Sequence, residues 1–250
     1  MRIVFLITLF TFLQAQGTWI MSGRVHPELK WSTIKTDHYN IHYHQGIENI
    51  AVKGATIAEQ IHDTLLEQMG MTTVPTIDII FTAEDEVMNG YAMWTNQTFI
   101  WVDQNDVAIW LEDEKWLFTV VAHELQHIIF MNAVKTWLPE PWSMSLLGEV
   151  PGWFVEGLAE YMTERWRPHR ADLSHKLHIL KNNTNQMDPH HDGFSKLLYL
   201  TEKYGDDCIV EIVQYRNKLK LYNFGKAFKK ATGVTVGQFN EDWRRTMNTY

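Results

Sequence analysis

The segment His123–His127, which reads His-Glu-Leu-Gln-His, places three ionisable side chains inside an apolar part of the chain. The hydrophobic residues around it predict a long helix from Trp116 to Ala133. Two histidines four positions apart share one face of a helix, where both imidazoles can bind one Zn²⁺. Burial of three such groups is unfavourable without a metal or hydrogen-bonding partners. A buried histidine pair bonded to carboxylates is the structural alternative.

Glu124 follows the first histidine directly, so it would lie beside the metal and could take a proton from a water that the metal activates. A catalytic zinc site also needs a third protein ligand and an open position. The predicted third ligand is Glu156, on a second apolar helix predicted from Trp153 to Arg165. Glu160 lies one turn later on the same face, where its carboxylate could accept the free N–H of a ligand histidine. Gly157 and Ala159 are small, which would let this helix approach the histidine helix closely.

The rest of the chain divides into a mixed first half and a helical second half. Sequence patterns before the histidine segment predict strands at His38–His44, Thr76–Phe81 and Thr98–Val102, and a helix at Asn49–Met69 that stops at Gly70. After a proline-containing connection that is predicted to be irregular, helices are expected at Phe194–Tyr204, Ile209–Lys218, Asn223–Thr232 and Val236–Tyr250, with Gly205 and Gly233 as helix ends. We therefore predict an α+β fold with a site in the cleft between two lobes, about residues 18–133 and 134–250.

The first residues have the order of an export signal. Arg2 gives a short positive start, Ile3–Leu13 is an apolar run, and small residues follow it. This order predicts a signal peptide over residues 1–17, a single mature domain over 18–250 and a periplasmic or secreted protein. A buried strand or helix at the N-terminus is the alternative. The run is too short to span a bilayer comfortably, and no later stretch is expected to be long and apolar enough to do so. No stable membrane insertion is therefore expected after signal cleavage.

Charge and cysteine content exclude other classes of function. The formal net charge is −8, and the densest basic stretch, Arg216–Lys220 followed by Lys229 and Lys230, is short and interrupted. A nucleic-acid partner is therefore disfavoured, because neutralising phosphates needs concentrated positive charge. The single cysteine, Cys208, cannot form an internal disulfide, and it lies in no metal-binding motif. A closed structural zinc site with a cysteine as fourth ligand is disfavoured for the same reason.

The motif at His123–His127, taken with the segment Trp153–Tyr161, resembles the gluzincin class of metallopeptidases. It is most similar to the peptidase MA-like domains of exported bacterial proteins, and the resemblance extends over most of the mature chain. The resemblance implies a zincin (thermolysin-like) fold, in which an N-terminal α/β lobe carries a mixed sheet and a C-terminal lobe is helical. Some relatives continue into a β-propeller of the TolB type, so this chain is expected to be a short member or a separated domain.

The resemblance also implies roles for particular residues. The implied zinc ligands are His123, His127 and Glu156, for one Zn²⁺ per chain in the cleft between the lobes. Glu124 is the implied general base, and Glu160 the implied partner of a ligand histidine. The implied reaction is hydrolysis of peptide bonds in a peptide or protein substrate by a metal-activated water.

The oxyanion of such a reaction needs a second donor beside the metal, which in this class is a tyrosine or histidine from the helical lobe. The candidates are His190, His191 and Tyr199. The choice is His191, just before the helix predicted at Phe194; an exposed loop is the alternative for both histidines.

Substrates of this class lie antiparallel along an edge strand, which is expected here at Asn96–Val102, although an ordinary sheet strand fits those residues equally well. A function from another class is a non-catalytic exported module that uses the same fold to bind a partner. The presence of Glu124 argues against that alternative, because a binding module needs no general base.

Overall fold

The structure is a computed structural model that describes residues 26–84, 89–102, 115–147, 149–164, 177–178, 180–181, 183 and 189–247. Within these ranges, the side chains of residues 115, 141, 147, 164 and 191 are outside the description. The chain divides into two units, Met1–Trp31 and Ser32–Tyr250. In the first unit, the described residues form a turn in which Leu29 N–H donates to the carbonyl of His26 at 3.2 Å. The predicted signal peptide, residues 1–17, lies outside the described residues.

A mixed five-stranded sheet occupies the first half of the chain. Its strands lie in the order β1-β2-β3-β5-β4. They are β1 (Trp31–Lys35), β2 (Tyr39–His44), β3 (Ile77–Thr82), β4 (Asn89–Met93) and β5 (Gln97–Trp101). Strands β2, β3 and β5 are parallel, and β4 pairs antiparallel with β5. Alternate residues of β3 are buried, because successive side chains of a strand point to opposite faces of the sheet.

Three of these strands confirm the strand predictions to within two residues, and two strands were not predicted. The first unpredicted strand, β1, is largely exposed, and the second, β4, begins Asn89-Gly90, which is typical of a turn. The expectation that Asn96–Val102 forms the edge strand is wrong. Strand β5 lies between β3 and β4, so β4 is the edge on this side of the sheet.

Helix α1 (Glu48–Gln68) confirms the helix that the apolar spacing predicted, and it packs against the sheet. Gly54 lies so close to the ring of Phe81 in β3 that a Cβ at position 54 would overlap the ring. The helix ends before Gly70, whose φ of 62° is in the left-handed region that glycine adopts without strain. This glycine confirms the predicted helix end.

The elements described after residue 102 are all helices, which confirms an α+β fold with a helical second half. They are α2 (Lys115–Val134), α3 (Glu140–Leu147), α4 (Gly152–Glu164), α5 (Pro189–Tyr204), α6 (Asp207–Val213), α7 (Phe224–Thr232) and α8 (Val236–Met247). Gly205 and Gly233, with φ of 88° and 80°, end α5 and α7 as predicted. Asn223 begins α7 by accepting the N–H of Lys226 at 2.9 Å.

Three helix predictions need correction. Helix α3 forms in the connection predicted to be irregular, because Pro141 falls in its first turn, where a proline removes no helical hydrogen bond. Helix α5 begins at Pro189 rather than at Phe194, so His190 and His191 lie in its first turn and not in a loop. Helix α6 ends at Val213, five residues before the predicted end at Lys218.

Helix α2 has the length and composition that would allow a helix to cross a membrane, so the expectation that no later stretch is long and apolar enough is wrong. Among the described residues, it is the one helix of this kind, and the apolar segment runs from Trp116 to Val134. However, 72% of this segment is buried inside the protein, and such burial is typical of a core helix.

The sheet and the helices share one hydrophobic core. At its helical end, a cluster of aromatic rings surrounds the start of α4, with ring centroids 4.8 to 6.4 Å apart. The rings belong to Trp153, Phe154, Phe224, Phe228 and Phe239. These ring contacts fix α4 against α7 and α8. Glu156 follows Phe154, a member of the cluster, by two residues.

Candidate metal centre

Helix α2 brings the two histidines of the motif together. The helix crosses the core because most of its sides are apolar, and Val121, Leu125 and Ile128 are fully buried there. His123 and His127 lie one turn apart on the remaining face, with their Nε2 atoms 3.1 Å apart. Their side chains are only 13% and 10% exposed, so both imidazoles are held in a restricted space.

Helix α4 supplies a carboxylate to the same point. Glu156 Oε2 lies 3.5 Å from His123 Nε2 and 3.3 Å from His127 Nε2. The three residues that the sequence predicts as zinc ligands therefore meet, although Glu156 is 29 positions beyond His127.

The three donor atoms fit a tetrahedral zinc ion. Zinc binds nitrogen and carboxylate oxygen at about 2.0–2.2 Å, which places neighbouring donors of a tetrahedron about 3.3–3.6 Å apart. The observed separations of 3.1, 3.3 and 3.5 Å therefore span one face of such a tetrahedron. Two imidazoles with one carboxylate also favour zinc over Mg²⁺ or Ca²⁺, which prefer sites made of oxygen alone.

A third histidine, His190 in the first turn of α5, approaches the same carboxylate. Its Nε2 lies 3.1 Å from Glu156 Oε2, and its ring stacks on that of His123 with centroids 5.8 Å apart. His123, Glu156 and His190 are therefore a second set of three donors that could hold a metal. We favour His127 over His190 as the ligand, because His127 contacts both other donors, whereas the His190 side chain is 44% exposed.

A contact between two glycines sets the position of His190. Helices α4 and α5 cross at Gly157 and Gly193, where a Cβ on either residue would overlap the backbone of the other helix. The expectation that Gly157 lets α4 approach the histidine helix is therefore wrong, since its close neighbour is α5. Because His190 precedes Gly193 by one turn and Glu156 adjoins Gly157, the crossing brings these two side chains together.

The charge of Glu156 is favoured by the three imidazoles around it. Burial opposes ionisation, but hydrogen bonds with the histidine rings hold the pKa of Glu156 well below its usual range. A carboxylate that stays ionised is the form that binds a metal.

Glu124 follows His123 on α2, and its side chain lies against the edge strand β4. It is only 6% exposed. Gly90 of β4 approaches so closely that a Cβ there would overlap the Glu124 carboxylate. Burial raises the pKa of Glu124 to about 7, even though the neighbouring charge of His123 and a backbone hydrogen bond with Ala92 lower it.

Three other residues were predicted to take part in the site: Glu160, Tyr199 and His191. Glu160 Oε1 is 3.9 Å from His123 Nδ1, which is near the ring but beyond hydrogen-bond distance. Tyr199 accepts a hydrogen bond from Lys203 Nζ at 3.0 Å and packs on Phe239, so it belongs to the contact between α5 and α8. The His191 side chain lies outside the described part of the structure, so the choice of His191 stays a prediction.

Sequence reasoning missed two features of this site. Gly90 was missed because β4 itself was not predicted, and Asn89-Gly90 gives no local strand signal. For the Gly157–Gly193 crossing, the sequence indicated that Gly157 allows a close approach, but not that Gly193 is the residue it approaches. The sequence does contain a signal for this crossing. Each helix has a glycine close to a possible metal-binding residue: Glu156 adjoins Gly157 on α4, and His190 lies one turn before Gly193 on α5.

Comparison with known proteins gives little information on activity. No model of a known protein family matches this chain. The chain is similar to YhcO, an uncharacterized protein of Bacillus subtilis (strain 168), with 24% identity over 211 residues. That similarity covers 71% of this chain and 59% of YhcO, so the chain spans less than two thirds of the relative's length.

Proposed function

We propose that this protein is a zinc-dependent metallopeptidase with the zincin (thermolysin-like) fold. One observation carries the proposal: the donor atoms of His123, His127 and Glu156 lie 3.1–3.5 Å apart, beside the buried carboxylate of Glu124. The mixed sheet with an antiparallel edge strand next to the histidine helix supports the zincin fold. The resemblance of the two motifs to gluzincins agrees with this proposal.

One Zn²⁺ per chain would be held by His123, His127 and Glu156. When bound, zinc acidifies a water molecule and polarises the carbonyl of the scissile peptide bond. Glu160, whose carboxylate lies 3.9 Å from His123 Nδ1, would favour the ring orientation in which Nε2 faces the other donors.

Glu124 would act as the general base. It would take the proton of the attacking water and deliver it to the leaving amine. A base works best when its pKa is close to the working pH, and in the metal-free protein burial raises the pKa of Glu124 to about 7. A bound zinc ion would lower this pKa and favour the ionised form that accepts a proton. The close approach of Gly90 restricts the carboxylate to one side, which favours a fixed position for proton transfer.

Strand β4 would bind the substrate. It is an edge of the described sheet, and its Gly90 adjoins the general base. An extended peptide can add to such an edge through backbone hydrogen bonds, which accept many sequences. This arrangement would bring a peptide bond to Glu124 and suits an unstructured peptide or protein as substrate.

His190 is the histidine that this arrangement favours as the oxyanion donor. Its Nε2 contacts the Glu156 carboxylate at 3.1 Å, and its side chain is partly exposed, so a substrate carbonyl could approach it. A donor at this position would stabilise the negative charge that develops on the carbonyl oxygen. The predicted signal peptide would place the enzyme outside the cytoplasm, in the periplasm or secreted.

The test compares the wild-type protein with Glu124→Gln, and with Glu202→Gln on the exposed side of α5 as a matched control. Bound zinc and the hydrolysis of an unstructured protein are measured on all three. We expect all three proteins to bind one zinc, and only Glu124→Gln to lose hydrolysis by at least about a hundredfold. Equal hydrolysis by wild type and Glu124→Gln would sink the peptidase proposal and leave the non-catalytic binding module as the better reading.

A further inference from the structure

Two large apolar side chains lie exposed and adjacent beyond the C-terminal end of α2. Trp137 is 68% exposed and Leu219 is 69% exposed. They are joined by a hydrogen bond of 2.9 Å from the Trp137 indole N–H to the carbonyl of Leu219. We call these two residues, with Lys218 and Lys220, the Trp137–Leu219 patch. Its indole has its single polar hydrogen already satisfied, so the outer surface of the pair is apolar.

The turn that presents Leu219 is held in one conformation. Asn217 Oδ1 accepts the N–H groups of Leu219 at 2.8 Å and Leu221 at 3.0 Å, and the Asn217 carbonyl accepts the N–H of Lys220 at 2.9 Å. Lys220 has a φ of 57°, a left-handed conformation that costs a non-glycine residue about 1 kcal/mol. These three N–H groups are bonded within the turn, which lowers the cost of bringing them into a medium of low polarity.

Arg216 fixes this turn to the body of the protein. Its guanidinium donates to the carbonyls of Ala133 and Lys135 at the end of α2, and to that of Val213 at 3.1 Å. The ring of Tyr222 lies 5.6 Å from the same guanidinium. The exposed leucine is therefore presented by a rigid support, although its own side chain packs little against the protein.

The turn that carries Leu219 lies in a basic stretch of an acidic chain. The protein has a net charge of −8, but the segment from Ile212 to Asn240 has six basic residues and no acidic residue. Lys218 and Lys220 are exposed, and neither has a carboxylate partner in the part of the chain that the structure describes. Lys135 is paired with Glu140 at 3.1 Å and adds no net charge.

We propose that the Trp137–Leu219 patch docks the protein reversibly on the surface of an anionic lipid bilayer. Tryptophan and leucine would enter the interface between headgroups and acyl chains, where amphipathic aromatic rings are favoured. Lys218 and Lys220 would contact the lipid phosphates, at about 1 kcal/mol for each lysine near an anionic surface. Two apolar side chains are too few for a stable protein interface, which needs about 800 Å² from each partner. This docking does not depend on the proposed peptidase function.

A site-resolved probe is needed, because the apolar run Ile3–Leu13 could attach the full chain to any vesicle. A Leu219→Cys variant of the full chain is labelled with a polarity-sensitive fluorophore, and a Val52→Cys variant is the control. Val52 is 56% exposed on α1, remote in sequence from the patch. The natural Cys208 can remain, since it is buried and burial raises the pKa of its thiol to about 12. The probes are mixed with vesicles of phosphatidylcholine, with and without phosphatidylglycerol.

We expect the label at position 219 to shift to the emission of an apolar medium only with phosphatidylglycerol, and the label at 52 to be unchanged. Adding Lys218→Glu to the labelled protein should weaken this response roughly tenfold, whereas Lys35→Glu, with the same change in net charge, should not. Any of three results overturns the proposal: no change in the emission of the label at 219, an equal emission shift of the label at 52, or a response at 219 that Lys218→Glu does not weaken. A shift at 219 that appears without vesicles and grows with protein concentration also overturns it, because a second copy would then cover the patch.

Discussion

Two glutamates lie on two sides of one site, and their pKa values are shifted in opposite directions. Glu124 faces the edge strand, and Glu156 faces the helices. Glu124 is packed against Gly90, and burial raises its pKa to about 7. Glu156 is also partly buried, but three imidazoles surround it and hold its pKa below its usual range. The chemical group is the same on both sides, so the neighbours decide which carboxylate accepts a proton and which remains ionised.

The two sides also differ in what restrains them. On the helical side, Gly157 meets the backbone of Gly193, and neither backbone can move without shifting a whole helix. On the edge-strand side, Gly90 meets the Cγ and the carboxylate of Glu124, which belong to a side chain that can change rotamer and not to backbone. Changes on the helical side should therefore damage the fold and the metal site. Changes on the edge-strand side should alter chemistry and leave the fold nearly intact.

The largest effect is expected from Glu156→Gln. The amide keeps the size of the side chain but removes the negative charge that the three imidazoles stabilise, so zinc affinity should fall by more than about a hundredfold. Competition with a fluorescent chelator measures the affinity, and Glu124→Gln should stay within about tenfold of wild type in the same assay. If both variants lost zinc to the same degree, the two carboxylates would not have separate roles.

The next largest effect is expected from Gly157→Ala. A methyl group there overlaps the Gly193 backbone, so we expect a loss of about 3 kcal/mol or more in the free energy of unfolding. Urea unfolding measures it. Gly152→Ala, in the same helix, is the control, because a Cβ at position 152 meets nothing within 4 Å. Similar stability for the two variants would show that the crossing of α4 and α5 is not tight.

Sequence patterns predicted the parts of the site that a single helix determines. His123, Glu124 and His127 follow from helical spacing alone, and Glu156 follows from one more amphipathic helix. The predictions were incomplete or wrong for elements whose conformation depends on tertiary contacts. Strand β4 has little apolar alternation and exists as a partner of β5, and the first turn of α5 is set by Pro189 and by the contact with α4. No local pattern encodes either contact, so the edge strand and the position of His190 needed the structure.

A smaller effect is expected from Glu124→Gln in metal-free protein. The raised pKa of Glu124 means that the folded state holds its proton more tightly than the unfolded state. Its contribution to stability is therefore complete below the usual glutamate pKa of 4.5 and is lost as the pH rises through about 7. Glutamine does not titrate, so the variant should be more stable than wild type above pH 7 by up to about 3 kcal/mol, and equal to it in acid. Urea unfolding with a chelator across this pH range tests the sign; a variant less stable than wild type at neutral pH would contradict the burial argument.

The smallest effect on stability, with a clear effect on turnover, is expected from Gly90→Ala. The methyl group would overlap the Glu124 carboxylate, but this carboxylate ends a flexible side chain, so the free energy of unfolding should change by less than about 1.5 kcal/mol. The displaced base should lower kcat about tenfold or more, because a misplaced general base cannot reach its proton. Zinc content should be unchanged, since the atoms nearest to a methyl group at position 90 all belong to Glu124 and not to a zinc ligand. Gly225→Ala on α7, where a Cβ has no neighbour closer than 3.9 Å, is the control for a glycine change without overlap. A fall in zinc content with kcat preserved would mean that β4 supports the metal side of the site, and that the two sides are not independent.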